Sequence, residues 1–207
     1  MKNLVIIGAG LSGTLLAMNL LKQKSINPIN IKLIDRNSET EMGPAYSTNE
    51  DYLLNVPVEK MGAISNKPEH FFNWAVHKKI NVRAGDYLPR KLYREYIKEL
   101  FRNAFNDKAD NILFERIEGE AVDVKTDNNK LKVLMSNGNE FSADKLILAL
   151  GNASPLNPEL KNKDFLSGKR YIQNPWDKNI FRNISSDDTI FFIGTGQTTV
   201  DLAAGLT

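Results

Sequence analysis

The chain has 207 residues, 42% of them hydrophobic and 25% charged, with a net charge of +2. That length suits one domain, or one domain plus a piece of another, and buries roughly 70% of the surface the unfolded chain exposes. Mixed, nearly balanced charge offers no electrostatic track for nucleic acid or an anionic membrane, and the absence of cysteine removes disulfides, thiolate nucleophiles, cysteine-based zinc sites and redox-active cysteine pairs. Only Leu4 to Ile7 form an apolar run before Gly8, too short for a signal-peptide core of about 7–15 residues. The longest later run, Leu146 to Leu150, is far below the ~20 residues of a membrane span. The expectation is a soluble cytoplasmic protein, with no nucleic-acid and no membrane partner.

Leu4 to Ile7 reads as a buried parallel strand that ends at glycine. Thr14 to Lys22 carries apolar residues at helical spacing, and Asn30 to Asp35 returns as a second strand, which together make a βαβ unit. Residues 37–66 lack periodicity and contain Gly43-Pro44 and Val56-Pro57, so a long ordered loop is predicted. Asn66-Lys67-Pro68-Glu69 resembles a helix start running to about Lys78. A firmer helix follows Pro89, with Leu92, Tyr93, Tyr96, Ile97, Leu100, Phe101, Ala104 and Phe105 on one stripe. From Ile112 to Phe141 the period changes to two, with turns at Asn128-Asn129 and Asn137-Gly138, which predicts an antiparallel meander over about 112–142. Leu146 to Leu150 is again a buried strand, and a polar, proline-bearing connector follows. Thr189 to Ile193 is a last predicted strand, with Gly194 opening a last helix.

Gly8-Ala9-Gly10-Leu11-Ser12-Gly13 is GxGxxG between a strand and a helix, with an acid about 20 residues further on at Asp35. Gly8 makes the tight turn, Gly10 lets the backbone approach a pyrophosphate, and Gly13 lets helix pack on strand. The helix N-terminus offers N–H groups and a positive dipole end to the phosphates. Asp35, followed by Arg36, is placed to accept hydrogen bonds from an adenosine ribose, and its charge repels a 2′-phosphate. The motif alone does not separate FAD from NAD, since both carry adenosine diphosphate.

The arrangement resembles flavoproteins with two dinucleotide-binding domains, which carry an FAD motif, a meander before the domain's last strand, and a second glycine motif for NAD(P). In such proteins the strand end Ala149-Leu150-Gly151 passes close to FAD, and backbone matching Val122 meets the adenine. Gly43-Pro44-Ala45-Tyr46-Ser47, Leu53-Leu54-Asn55-Val56-Pro57, Pro68-Glu69-His70-Phe71 and Pro89-Arg90-Lys91-Leu92-Tyr93 resemble a bacterial FAD/NAD(P)-binding family. That likeness implies that Tyr46 and Asn55 lie near the flavin end, and that Gly194, Gly196 and Gln197 belong to an NAD(P)H site. Thr199 stands where that motif's third glycine would be, which predicts looser helix–strand packing.

The expected fold is an α/β Rossmann-type FAD-binding domain with a parallel sheet and an inserted antiparallel meander over 1–155. A connector over 156–188 and the start of a second, incomplete domain over 189–207 would follow, which makes the chain read as a fragment. A run of Gly168, Ile172 and Trp176-Asp177 resembles the signature of flavin monooxygenases. Phe165 is displaced by one position there, and Ile172 replaces the histidine. An isoleucine cannot titrate, so that signature's polar role is absent; His70 and His77 read as structural or solvated. No side chain is identifiable as catalytic. The expected activity is an FAD-dependent oxidoreductase accepting hydride from NAD(P)H. A non-catalytic FAD- or NAD-binding redox-sensing or docking module is the alternative, and an NAD-only Rossmann module is a third. Substrate, electron acceptor and oligomeric state are not encoded in any motif.

Overall fold

A computed structural model describes residues 1–24, 27–36, 42–47, 52–127, 130–177, 179–182 and 184–206. The predicted turn at Asn128-Asn129, the residue Thr207 and parts of the long loop lie outside these. Strand β1 (Lys2–Ile7) is flanked by β2 (Ile29–Asp35) and β7 (Lys145–Leu148), with β3 (Ile112–Glu118) outside β2. Each of these pairings is parallel, so the sheet order is β3-β2-β1-β7. The remaining strands, β4 (Ala121–Asp127), β5 (Lys130–Met135) and β6 (Glu140–Ala143), form a separate antiparallel sheet.

The sheet is apolar on both faces, and the period of two sorts its side chains between two cores. Leu4, Ile6, Ile31, Leu33, Ile112 and Ile147 join the helices on one face. Val5, Ile7, Ile34, Ile117 and Leu146 meet Val133, Met135 and Ala143 of the meander on the other. Helix α1 (Leu11–Leu21) buries Gly13, Thr14, Ala17, Met18 and Leu21. A four-residue helix α2 (Pro44–Ser47) and α3 (His70–His77) pack around α4 (Arg90–Asn106). Helix α4 buries Tyr93, Tyr96, Ile97, Leu100 and Ala104 at spacings of three and four. Phe105, at the end of the predicted stripe, is exposed instead and lies against the Phe114 ring.

Three predicted elements differ from those observed. Residues 112–118 are not the first strand of the meander but the edge of the parallel sheet, in register with β2 from Ile29↔Ile112 to Asp35↔Glu118. Period-two patterning marks a strand without naming its partner. Helix α3 begins at His70 rather than at 66–67. Asn66 sits at φ 60, and the Gly62 N–H donates to the Pro68 carbonyl at 2.7 Å, which holds 62–68 in a reversed turn. A Cβ on Gly62 would lie 2.0 Å from the Lys67 carbonyl oxygen, so glycine is required there. Thr189 to Ile193 forms no strand, because no described segment runs beside it to form a ladder. Ile190, Phe191 and Ile193 are exposed. Between Ala143 and Asp201 no described residue is buried; the last helix, α5 (Gln197–Ala204), returns to the body of the protein through Asp201 and Leu202. Among the described residues no helix is long and apolar enough to cross a membrane.

Tyr96 ties α4 to α3 and to the preceding turn. Its hydroxyl accepts from the Ala63 N–H at 3.1 Å and lies 2.8 Å from His70 Nδ1. Having one proton, that hydroxyl donates to His70 only while the imidazole is neutral at Nδ1. Burial first, then Lys67 and Lys22, lowers the His70 pKa, against a smaller opposing effect of Glu69. A histidine with a folded pKa below its unfolded value of about 6.5 stabilises the fold above that pH. The contribution disappears as pH falls through the lower, folded pKa. Thermal unfolding at a series of pH values should show a larger loss of Tm below pH 6.5 in the wild type than in His70→Gln. Parallel curves for the two proteins would rule this out.

Candidate functional site

The C-terminal ends of β1, β2 and β7 converge on the first glycine turn. The Gly8 N–H donates to the Ile34 carbonyl and the Ala149 N–H donates to the Ile7 carbonyl, both at 2.8 Å. Gly8 has φ +102, and a Cβ there would lie 2.2 Å from the Ala149 carbonyl oxygen. A Cβ on Gly13 would lie 1.8 Å from the Gly8 carbonyl oxygen. Only glycine allows these approaches of strand, turn and helix. Thr14 adds a buried hydrogen bond from Oγ1 to the Ala9 carbonyl at 2.9 Å.

Gly10 differs from its neighbours: nothing lies within 4 Å of where its Cβ would be. It is the N-cap of α1 with φ −60 and ψ −176, and no side chain caps the helix. The first-turn N–H groups, including those of Leu11 and Ser12, lack intrahelical acceptors by geometry. Open space beside Gly10 leaves them accessible, which is what a pyrophosphate requires. Asp35 ends β2 below this turn, and its Oδ2 accepts the Ala9 N–H at 2.5 Å. The Asp35 carbonyl in turn accepts from Gly119 at 2.8 Å. That bond brings the start of β4, with exposed Val122 beside an irregularity in register, to the end of β2. Arg36 points to solvent and pairs with Glu120 at 2.7 Å. Ala149 closes the back of the turn, whereas Leu150 is exposed and Gly151 continues outward at φ +69.

A second cluster lies around a cavity of about 260 Å³ lined by Tyr46, Asn55, Arg90, Trp176, Gln197 and Asp201, among others. A bridge between Gly10 and Met42 connects this loop region to the first turn. Tyr46 packs on Tyr93 with ring centroids 5.6 Å apart. Burial raises the Tyr46 pKa, partly offset by Arg90, so its phenol stays protonated and able to donate. The expected residues thus fall into two groups: Gly8 to Gly13, Asp35 and Ala149 at the first turn, and Tyr46, Asn55 and Gln197 at the cavity.

Gly194, Gly196 and Gln197 form a second turn with the backbone of the first. Gly194 has φ +119 against +102 at Gly8, and Gly196 has φ −78 and ψ 178 against −60 and −176 at Gly10. No strand forms before this turn, so the expected looser helix–strand packing at Thr199 has no counterpart among the described residues. Thr199 Oγ1 donates to the Gly194 carbonyl at 2.9 Å, which replaces by a hydrogen bond the contact that Gly13 makes with Gly8. Thr199→Val keeps the shape and loses that bond, at a cost of about 1 kcal/mol or less for so exposed a pair. Exchange of the α5 amides measured by mass spectrometry should quicken modestly, with the overall Tm unchanged; unchanged exchange would mean the bond does not hold the turn.

Sequence reasoning missed Arg90, Trp176 and Asp201 as cavity residues. Arg90 opens α4 just after Pro89, and Asp201 is an acid within an apolar stretch, Val200-Asp201-Leu202-Ala203. A charge on the inward side of an apolar helix was the available signal. Trp176 reaches the cavity from the monooxygenase-like run, while Ile172 of that run is exposed.

Parallel sheet, glycine turn, acid at the second strand end and meander together define a Rossmann-type dinucleotide-binding domain of the kind found in flavoproteins. The FAD-NAD(P)-binding family matches residues 5–153, and the chain belongs to it. Among solved structures it is similar to a flavin-containing monooxygenase from Stenotrophomonas maltophilia, at 19% identity and TM-score 0.51, over 77% of this chain and 42% of that one. It is similar also to cyclohexanone monooxygenase, at 17% identity and TM-score 0.50, over 77% and 28%. A thioredoxin reductase from Bacillus anthracis matches at 11% identity over 71% and 35%, with a TM-score of 0.38 too low to bear on the fold. The chain spans less than half the length of each of these solved chains. No curated protein matches it.

Proposed function

We propose that this chain is the FAD-binding part of a flavoprotein oxidoreductase that draws hydride from NAD(P)H. The observation that carries the reading is the first glycine turn: open space at Gly10, an uncapped α1 and Asp35 beneath it. Backbone N–H groups of the turn would hold the pyrophosphate, and Asp35 would lie beside the adenosine ribose, where its charge disfavours a 2′-phosphate. The uncharged Tyr46 phenol and the Asn55 amide would orient the ring end by hydrogen bonding in the second cavity. Gly194, Gly196 and Gln197 would present the nicotinamide nucleotide from the opposite side. Bound FAD supplies the two-electron chemistry, and the chain's own residues bind, orient and exclude water. We assign no proton-transfer role to any side chain, and no substrate.

The full-length protein is expected to purify yellow and to release FAD on denaturation, with flavin absorbance at ~450 nm. Colourless protein that binds NAD but not added FAD would sink the reading. Tight FAD binding without bleaching by NADH or NADPH would instead support a non-catalytic redox-sensing or docking module.

A further inference from the structure

Asp201 and Arg90 form a buried ion pair that the dinucleotide motifs do not require. Their side chains are 4% and 9% exposed, and Arg90 Nη2 lies 2.8 Å from Asp201 Oδ2. The approach is outside hydrogen-bond geometry, so Oδ2 has no hydrogen bond, while Oδ1 accepts from Gln197 Nε2 at 2.9 Å. Arg90 is itself clamped to the loop that carries Asn55. Its Nε donates to the Leu53 carbonyl at 3.0 Å and its backbone N–H to the Tyr52 carbonyl at 2.8 Å. The pair therefore runs without a break from the loop of the first domain, through α4, to the first turn of α5 and the Gly194–Gly196 turn.

Little that is buried holds this end of the chain among the described residues. Among the described residues after Ala143, only Asp201 and Leu202 are buried. A leucine on a helix face is non-directional and tolerates rotation and sliding. A buried charge pair is different, because any geometry that separates the charges leaves both desolvated and uncompensated. Such pairs add little net stability compared with apolar residues of the same volume, and the best-attested use of one is to fix a single arrangement.

We infer that Arg90 and Asp201 are positioning residues, which dock α5 and orient the second glycine turn over the cavity lined by Tyr46 and Asn55. The role in hydride delivery rests on the function proposed above; the docking role does not. Arg90 and Asp201 touch neither ring in this account, and act through Gln197 and the turn.

Two variants test the inference. Asp201→Leu leaves Arg90 buried and unpaired, whereas Arg90→Met with Asp201→Leu replaces the pair by apolar contact of similar size. Amide hydrogen exchange over 197–204 is measured on the chain without cofactor, beside the overall unfolding midpoint. Exchange there should accelerate in Asp201→Leu well beyond any change in the strands of the parallel sheet. In the double variant the sheet should unfold as in the wild type. Its α5 should either exchange faster or stay protected while flavin reduction by NADH slows by about a hundredfold at unchanged NADH affinity, the scale of a misplacement near 1 Å. Protection that survives Asp201→Leu overturns the inference, whatever the protein binds. So does a double variant with protected α5 and wild-type flavin reduction. A wild-type protein that binds no FAD would defeat the proposed function and leave the exchange result to decide this one.

Discussion

Gly10→Val protein is expected to fold like the wild type and to carry no flavin. No atom lies within 4 Å of the position its Cβ would take, and the backbone there is in an ordinary extended-type conformation that valine adopts freely. The fold therefore loses almost nothing. The ligand loses its approach to the backbone, because the branched side chain fills the volume above the first-turn N–H groups. Removing contacts worth ~4 kcal/mol weakens affinity by nearly a thousandfold. Flavin content and FAD titration by fluorescence quenching, beside an unfolding curve, check both halves. A folded variant with its flavin retained would show that the pyrophosphate lies elsewhere.

Gly13→Ala should do the reverse, damaging the fold before the ligand matters. Its Cβ would stand 1.8 Å from the Gly8 carbonyl oxygen and 3.0 Å from its carbon. Both are backbone atoms of a turn already fixed by Gly8 N–H to Ile34 and by contact with Ala149. Nothing can rotate away, so α1 must shift off the sheet and open its buried row of Ala17, Met18 and Leu21. Overpacking of this kind costs about 3 kcal/mol, a large share of the ~5–15 kcal/mol that holds a domain. Urea unfolding should show the midpoint falling far more than in Gly10→Val. Equal midpoints for the two variants would mean that α1 is free to move, and that the close approach is incidental.

What the sequence disclosed was local. The βαβ unit, the glycine turn and Asp35 lie within the first 35 residues, where spacing alone fixes geometry. Helix α4 was legible for the same reason, through its repeat of Tyr93, Tyr96, Ile97 and Leu100. The pairing of β3 with β2 was not, since alternation in 112–118 suits an antiparallel or a parallel partner equally. The reach of Arg90 to Asp201 joins residues far apart in the chain, and no periodicity encodes it. Ile190, Phe191 and Ile193 have the composition of a strand, yet composition supplies no neighbour. The hydrogen bond from the Thr199 hydroxyl to the Gly194 carbonyl was not legible either, since a hydroxyl's local partner is set by the turn it sits in.

The central strand of the sheet also waits longest for its second neighbour. Asn3 and Asp144, joined by a hydrogen bond where β1 meets β7, are 141 residues apart. At translation rates of ~5–20 residues per second, about 7–28 seconds separate their synthesis. Through that interval β1 can pair with β2 but keeps a bare edge, and the Gly8 turn lacks the Ala149 carbonyl that backs it. An apolar strand with an open edge is a template for pairing with another chain. The nascent protein is thus most exposed to misassociation just before β7 leaves the ribosome, and the candidate nucleotide site cannot be complete until it does.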